Sequence, residues 1–150
     1  MSLHILDIVE NSIRAGAKEV HIRINEDAAA DRLEIEIGDD GAGMDRATLE
    51  KALDPFYTTK SVRKVGLGLS MFREAARAAG GDLVIQSQTG KGTWVKATFQ
   101  HSHIDRQPMG DLAKTLEVLT ITNPDVRFRY YHREDGKEHH FDSNGLYPES

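Results

Sequence analysis

Arg32-Leu-Glu-Ile-Glu-Ile-Gly-Asp-Asp-Gly-Ala-Gly-Met44 runs from an alternating strand directly into a glycine turn. Leu33, Ile35 and Ile37 alternate with polar residues, the period of a strand with one buried face. Asp39 stands at the strand end, where a carboxylate can accept a hydrogen bond from an exocyclic amine, an interaction worth roughly 1.5–3 kcal/mol for a charged acceptor. Gly41 and Gly43 let backbone come close to a planar ring. Alone, the same residues also describe an ordinary glycine turn.

Upstream, Val20, Ile22 and Ile24 alternate in the same way, joined to the first strand by the polar stretch Asn25–Arg32. Residues 2–15 carry Leu6, Val9 and Ile13 at helical spacing. Downstream, Asp45 can cap a short helix over Arg46–Leu53. Asp54–Gly68 has no clean period and reads as a long loop, a length that inside a compact domain points to a lid or to disorder. A helix over Leu69–Ala79 stops at Gly80-Gly81, and Leu83–Ser87 and Thr93–Gln100 form a hairpin around Gly90-Lys91-Gly92. This order predicts an α+β fold: a two-layer sandwich with a mixed or antiparallel sheet covered on one face by helices.

A polar segment carrying Pro108 follows the last of these strands. Residues 1–100 therefore read as a core and 101–150 as an extension. The extension holds a helix near Met109–Ile121, with Leu112, Leu116 and Leu119 on one face and Asn123-Pro124 at its end. A hairpin follows in which Val126, Phe128 and Tyr130 alternate, Asp135-Gly136 turns, and Phe141 returns. Five of the seven histidines lie here: His101, His103, His132, His139 and His140. Neighbouring histidines on a strand point to opposite faces, so solvent- or partner-facing histidines are expected rather than a metal site. Three roles are open for the extension: extending the sheet, supporting a homodimer, or docking a partner.

Composition narrows the function classes. The 150-residue chain has no cysteine, which excludes a disulfide framework and a zinc-thiolate site. No run approaches the ~18 apolar residues of a membrane span, and Asp7 and Glu10 interrupt the start where a signal peptide would be apolar. A net charge of −5 argues against non-specific nucleic-acid binding. A cytoplasmic protein is expected, with neither membrane nor nucleic acid as partner.

Three further segments carry chemistry. Asp7 and Asn11, four apart on the first helix, point the same way. They pair a potential base with a potential Mg²⁺ ligand, and Arg14 lies within reach of a phosphate. A solvated stripe on an amphipathic helix would look similar. Asp54-Pro55-Phe56-Tyr57-Thr58-Thr59-Lys60 precedes Gly66-Leu67-Gly68-Leu69-Ser70, which would open a helix whose N-terminal N–H groups favour an anion. The Walker spacing is absent. Gly90-Lys91-Gly92-Thr93 opens the last core strand, where a threonine hydroxyl could bond a base edge or simply follow a turn.

These segments, in this order and spacing, resemble the GHKL superfamily of gyrase-type, chaperone, histidine-kinase and mismatch-repair ATPases (the Bergerat fold). Asp7–Gly16 looks like its N box, Asp39–Met44 its G1 box, Asp54–Lys60 its F box and Gly66–Ser70 its G2 box. The run from Asp54 through Gly80-Gly81 to Gly92-Thr93 is especially similar to histidine-kinase catalytic domains. The resemblance covers nearly all of residues 1–100. It implies a nucleotide between the first helix and the lid, with ATP and Mg²⁺ as cofactors. Asp39 would hold the adenine amine with Thr93 near the same ring edge, and Asn11 would coordinate Mg²⁺. Arg14, Lys60 and the backbone of Gly66, Leu67, Gly68 and Leu69 would attend the phosphates, while Phe56 anchors the lid. Ala15, Gly41, Gly43, Met44, Thr58 and Thr59 complete the implied ATP-binding set.

Asp7 is the implied catalytic residue and departs from the family pattern. Hydrolytic members and serine-directed kinases carry glutamate there, and many histidine kinases carry asparagine. Water or a serine hydroxyl must lose a proton as it attacks, so a base helps, whereas a neutral imidazole needs none. Aspartate keeps the acid but is one methylene shorter. The chain also begins almost at the N box, without the helical hairpin that bears a phosphoacceptor histidine, and His4 is poorly placed for that role. The phosphoacceptor, a histidine, serine or aspartate, is therefore expected on another chain. A stand-alone kinase catalytic domain is the leading function. The alternatives are an ATP-driven switch or slow ATPase, and a non-catalytic nucleotide sensor. Thr58–Val65, with Lys60, Arg63 and Lys64 and no apolar period, is expected to order only on phosphate contacts.

Overall fold

The alternation around residue 32 resolves into the centre of a six-stranded mixed sheet with helices on one face. The computed structural model describes residues 2–54, 67–103, 112–134 and 136–142. Among these the order is α1 (Ser2–Arg14), β1 (Glu19–Asp27), β2 (Arg32–Asp39), α2 (Arg46–Leu53), α3 (Leu67–Ala78), β3 (Asp82–Gln88) and β4 (Gly92–Gln100). A 3₁₀ turn (His101–His103), α4 (Leu112–Thr122), β5 (Arg127–Glu134) and β6 (Lys137–Asp142) follow. The sheet order is β3-β4-β2-β1-β5-β6. All neighbours are antiparallel except β1 and β5, which pair in parallel with Val20 opposite Phe128 and Glu26 opposite Glu134. The extension thus continues the sheet beyond β1.

The core lies between the sheet and its helices. Val20, Ile22 and Ile24 of β1, Leu33, Ile35 and Ile37 of β2, and Val95, Ala97 and Phe99 of β4 are buried. Each such Val, Leu, Ile or Phe side chain contributes roughly 1.5–3 kcal/mol when fully buried. Helix α3 lays Leu69, Phe72, Ala76 and Ala79 on them, and the Phe72 and Phe99 rings meet with centroids 5.8 Å apart. The Asp45 carboxylate accepts from the Thr48 N–H at 2.7 Å and starts α2, so the cap works as its residue type suggests. Leu116 of α4 is buried and Leu119 half-buried.

Two expectations change in detail. The buried stripe of α1 is Ile5, Ile8, Val9 and Ser12, with Leu6 and Ile13 half-buried at its flanks. The helix is rotated so that a hydroxyl, not an aliphatic chain, faces the sheet at its last turn. The link expected over Asn25–Arg32 also shrinks, because β1 and β2 stay paired out to Asp27 opposite Arg32. A turn then closes at Asp31, whose φ of 52° is left-handed and whose backbone N–H donates to the Ala28 carbonyl. A carboxylate, Glu26, can stay buried inside that longer strand only because polar partners reach it.

Phe56, Thr58, Thr59, Lys60 and Gly66, and with them the lid and the ordering expected for Thr58–Val65, lie outside the described residues, as do Pro108 and Met109. The side chains of His4, Leu67, His103, Leu112, His139 and Phe141 lie outside them as well. No helix among the described residues is long and apolar enough to cross a membrane.

Candidate functional site

Strand β2 carries Asp39 to the sheet end beneath the last turn of α1. The Ser12 hydroxyl, itself buried, donates to Asp39 Oδ2 at 2.6 Å, and the Gly41 N–H donates to Oδ1 at 2.8 Å. One fixed donor on each oxygen orients the carboxylate while leaving acceptor capacity on both. Across the ladder Asp39 pairs with Thr93. Thr93 Oγ1 lies 2.8 Å from Ser87 Oγ, which in turn accepts from the Met44 N–H at 2.8 Å. A fixed acceptor and a fixed hydroxyl therefore stand on neighbouring strands, able to meet a donor and an acceptor on one edge of a ligand.

Two backbone pins hold the glycine turn in place. The Ala42 N–H donates to the Ala15 carbonyl at 2.9 Å, and the Gly90 N–H donates to the Ala42 carbonyl at 2.7 Å. Residues 40–43 are thereby clamped between the end of α1 and the β3–β4 turn. Gly43 has a φ of 70°, and a Cβ there would sit 2.1 Å from the Gln88 carbonyl oxygen. Its glycine is thus required by backbone crowding within the protein. Asp40 turns away from Asp39. Its Oδ1 accepts from the Lys18 and Glu19 N–H groups at 2.8 and 3.0 Å. The Glu19 N–H foremost, with that of Lys18, holds the Asp40 carboxyl below its ordinary range against a burial penalty. Its role is to lock the β1 start to the turn.

On α1, Asp7 and Arg14 are exposed and Asn11 is half-buried. Arg14 Nη1 donates to Asn11 Oδ1 at 3.2 Å, and Arg14 Nη2 lies 3.7 Å from Glu10. Asn11 offers a hard oxygen one helical turn from the Asp7 carboxylate. That donor set suits Mg²⁺, which takes one or two protein oxygens and completes its shell with phosphate and water. Ala15 is exposed at the end of α1, above the turn it pins. Leu67 and Gly68 open α3, while the Leu69 side chain is buried in the core, so only its backbone can serve an anion.

The described members of the expected set thus fall into an α1 group (Asp7, Asn11, Arg14, Ala15), a sheet-end group (Asp39, Gly41, Gly43, Met44, Thr93) and the start of α3. Ser12 and Ser87 were not among them. Ser12 had a legible signal, a hydroxyl standing on the buried stripe four residues after Ile8. Ser87 had none, since a polar residue at a strand end is unremarkable. A concavity among the described residues lies over the sheet and is lined by Arg23, Glu36, Trp94 and Tyr131 as well as by Asp39 and Thr93. No α1 residue lines it. The hydrogen-bonded geometry around Asp39 is the better guide to chemistry, because a shallow hollow on a twisted sheet selects no ligand.

Comparison with known proteins gives the family of the chain. Residues 2–103 match the family described as histidine kinase-, DNA gyrase B-, and HSP90-like ATPases. The sensor protein kinase FleS of Pseudomonas aeruginosa is 42% identical over 89 residues, 59% of this chain and 22% of that protein. The sensor kinase CckA of Brucella abortus is 35% identical over 111 residues, 71% of this chain and 12% of that protein. The sensor histidine kinase WalK of Bacillus subtilis is 30% identical over 105 residues, 65% of this chain and 17% of that protein. The chain therefore spans less than a quarter of the length of each of these relatives. With its mixed sheet, its one-sided helical layer and a match across two thirds of its length, the chain belongs to the histidine kinase-, DNA gyrase B- and HSP90-like ATPase family, an ATP-binding, kinase-like domain of the Bergerat fold.

Proposed function

We propose that this chain binds Mg-ATP and acts as a stand-alone kinase catalytic unit, passing the γ-phosphate to an acceptor on a partner protein in the cytoplasm. The observation that carries the nucleotide assignment is the doubly tethered Asp39 facing Thr93 across the ladder. Asp39 would accept from the adenine amine, with Met44, Gly41, Gly43 and Thr93 around the ring. Asn11 would hold Mg²⁺, Arg14 and Lys60 would offset phosphate charge, and the N-terminus of α3 would point backbone N–H groups at the same anion. Phe56, Thr58 and Thr59 belong to the lid in this reading, and Ala15 to the wall beneath it. Bound Mg²⁺ would neutralise developing charge on the transferring phosphoryl group. The kinase assignment is supported by the relatives, all three of which are named as sensor kinases.

A second reading, an ATP-driven switch with slow hydrolysis, is favoured by one observation. Asp7 places an exposed carboxylate one turn from Asn11, where a base for water would stand.

Calorimetric titration of Mg-ATP into wild type, Asp39→Asn and Ser12→Ala tests the pocket. Losing the charged acceptor should weaken binding by about ten- to a hundredfold, and losing the Ser12 tether by about fivefold. Wild-type affinity in both variants would overturn the adenine assignment. With γ-labelled ATP, label on a partner supports the kinase, whereas phosphate release abolished by Asp7→Asn supports the switch.

A further inference from the structure

The inner face of β1 reads Val20, Ile22, Ile24 and then Glu26, a carboxylate only 5% exposed where the alternation calls for an aliphatic chain. It stands at the far end of β1 from the Asp39 turn. Because β1 and β5 run in parallel, Glu134 lies directly beside Glu26, and His132 lies beside Ile24. Like charges directly opposite on neighbouring strands are unfavourable unless other groups offset them. Yet the fold gathers donors here. One ligand atom each from Glu26, His132 and Glu134 lie within 4.8 Å of one another.

The surroundings orient these donors. His132 Nε2 is 2.5 Å from Glu26 Oε2, and His132 Nδ1 is 3.1 Å from the Tyr130 hydroxyl. His101 Nε2 is 3.0 Å from the other oxygen, Glu26 Oε1, with the His101 side chain 9% exposed. His101 is fixed in turn by Asp31. The Asp31 carbonyl accepts from the His101 N–H, and the Asp31 carboxylate accepts from the Ser102 N–H at 2.7 Å and the Ser102 hydroxyl at 3.0 Å. An imidazole held at Nδ1 by a hydroxyl, beside two carboxylates with one oxygen already steered, is how proteins position ligands around a divalent ion. Mixed imidazole and carboxylate donors suit Zn²⁺.

We propose that Glu26, His132 and Glu134, with His101 steering Glu26, bind one Zn²⁺-class divalent cation that fastens the extension to the core sheet. The ion's two positive charges balance the two carboxylates. His132 would ligate through the Nε2 lone pair, with its Nδ1–H donating to the Tyr130 hydroxyl oxygen. The site is separate from the Asp39 turn and independent of nucleotide.

The test uses the full chain, free of any affinity tag and stripped with chelator, titrated near pH 7 with Zn²⁺ by calorimetry and with Co²⁺ by visible spectroscopy. One ion per chain is expected, with ligand-field bands for Co²⁺ and a higher melting temperature with metal. Both His132→Gln and Glu134→Gln should weaken binding at least about tenfold, while His21→Gln and His140→Gln, on exposed side chains, should leave it unchanged. Should His132→Gln fail to fold, Glu134→Gln at a half-buried position decides. The proposal is overturned if wild type takes up no stoichiometric ion, or if Glu134→Gln binds as wild type does.

Discussion

Two adjacent aspartates end β2, and they do different work because their oxygens meet different donors. Asp39 is tethered by Ser12 and Gly41 with capacity to spare, whereas Asp40 caps the Lys18 and Glu19 N–H groups. Asp40 titrates below its ordinary range in the folded chain, so its stabilising effect is present above the unfolded-state value and is lost as pH falls through the folded one. Asp40→Asn should therefore unfold more readily than wild type near neutral pH. The gap should close as pH drops below the ordinary carboxylate range, read from denaturant melts along a pH series. A constant gap at all pH values would mean that the carboxylate charge plays no part. The sequence could name both residues as a pair at a strand end. It could not say which one is tethered by Ser12, because that contact depends on how α1 is rotated about its axis.

At the scale of elements, most of the fold was legible because short-range signals agree with long-range packing. Alternation in residues 20–24 and 33–37, the Asp45 cap and the Gly80-Gly81 stop all mark elements that the structure contains, and Gly136 turns between β5 and β6, while Asp135 lies outside the described residues. What was not legible is pairing across distance. Nothing local in Phe128 or Tyr130 announces β1 as their neighbour, and the Glu26 cluster assembles only through that pairing. For the same reason the histidines of the extension looked scattered in sequence while two of them converge on one carboxylate. The glycine turn allows a direct check. Gly43→Ala forces a side chain into a left-handed position and against the Gln88 carbonyl, at a cost of roughly 2–4 kcal/mol. Gly90→Ala, with a φ of 81° but open space around its Cβ, should cost only about 1–2 kcal/mol. Equal losses of stability in chemical denaturation would show that crowding at Gln88 is not what demands the glycine.

For the whole molecule, the question is whether β5 and β6 are an ornament or part of the core. Phe128 is fully buried and Tyr130 and Leu116 nearly so. Burial on this scale contributes roughly 5–9 kcal/mol, taking 1.5–3 for each side chain, against a total stability of about 5–15 kcal/mol for an ordinary domain. On the open face, the Tyr131 hydroxyl donates to Glu138 at 2.8 Å and the Arg23 guanidinium stacks 5.5 Å above the Tyr131 ring, tying three strands together. A chain ended after His103 should therefore melt far below the full chain or self-associate, measured by thermal unfolding and size-exclusion chromatography. A monomeric fragment with the full chain's melting temperature would make the extension dispensable to the fold.

The parallel partner of β1 is made more than a hundred residues after it. During synthesis at about 5–20 residues per second, β1 therefore waits roughly 5–20 s with one row of N–H and C=O groups unmatched. Each nascent chain on a polysome carries that open edge beside identical neighbours. Crowded translation is therefore a condition that exposes this edge to pairing with a neighbouring chain.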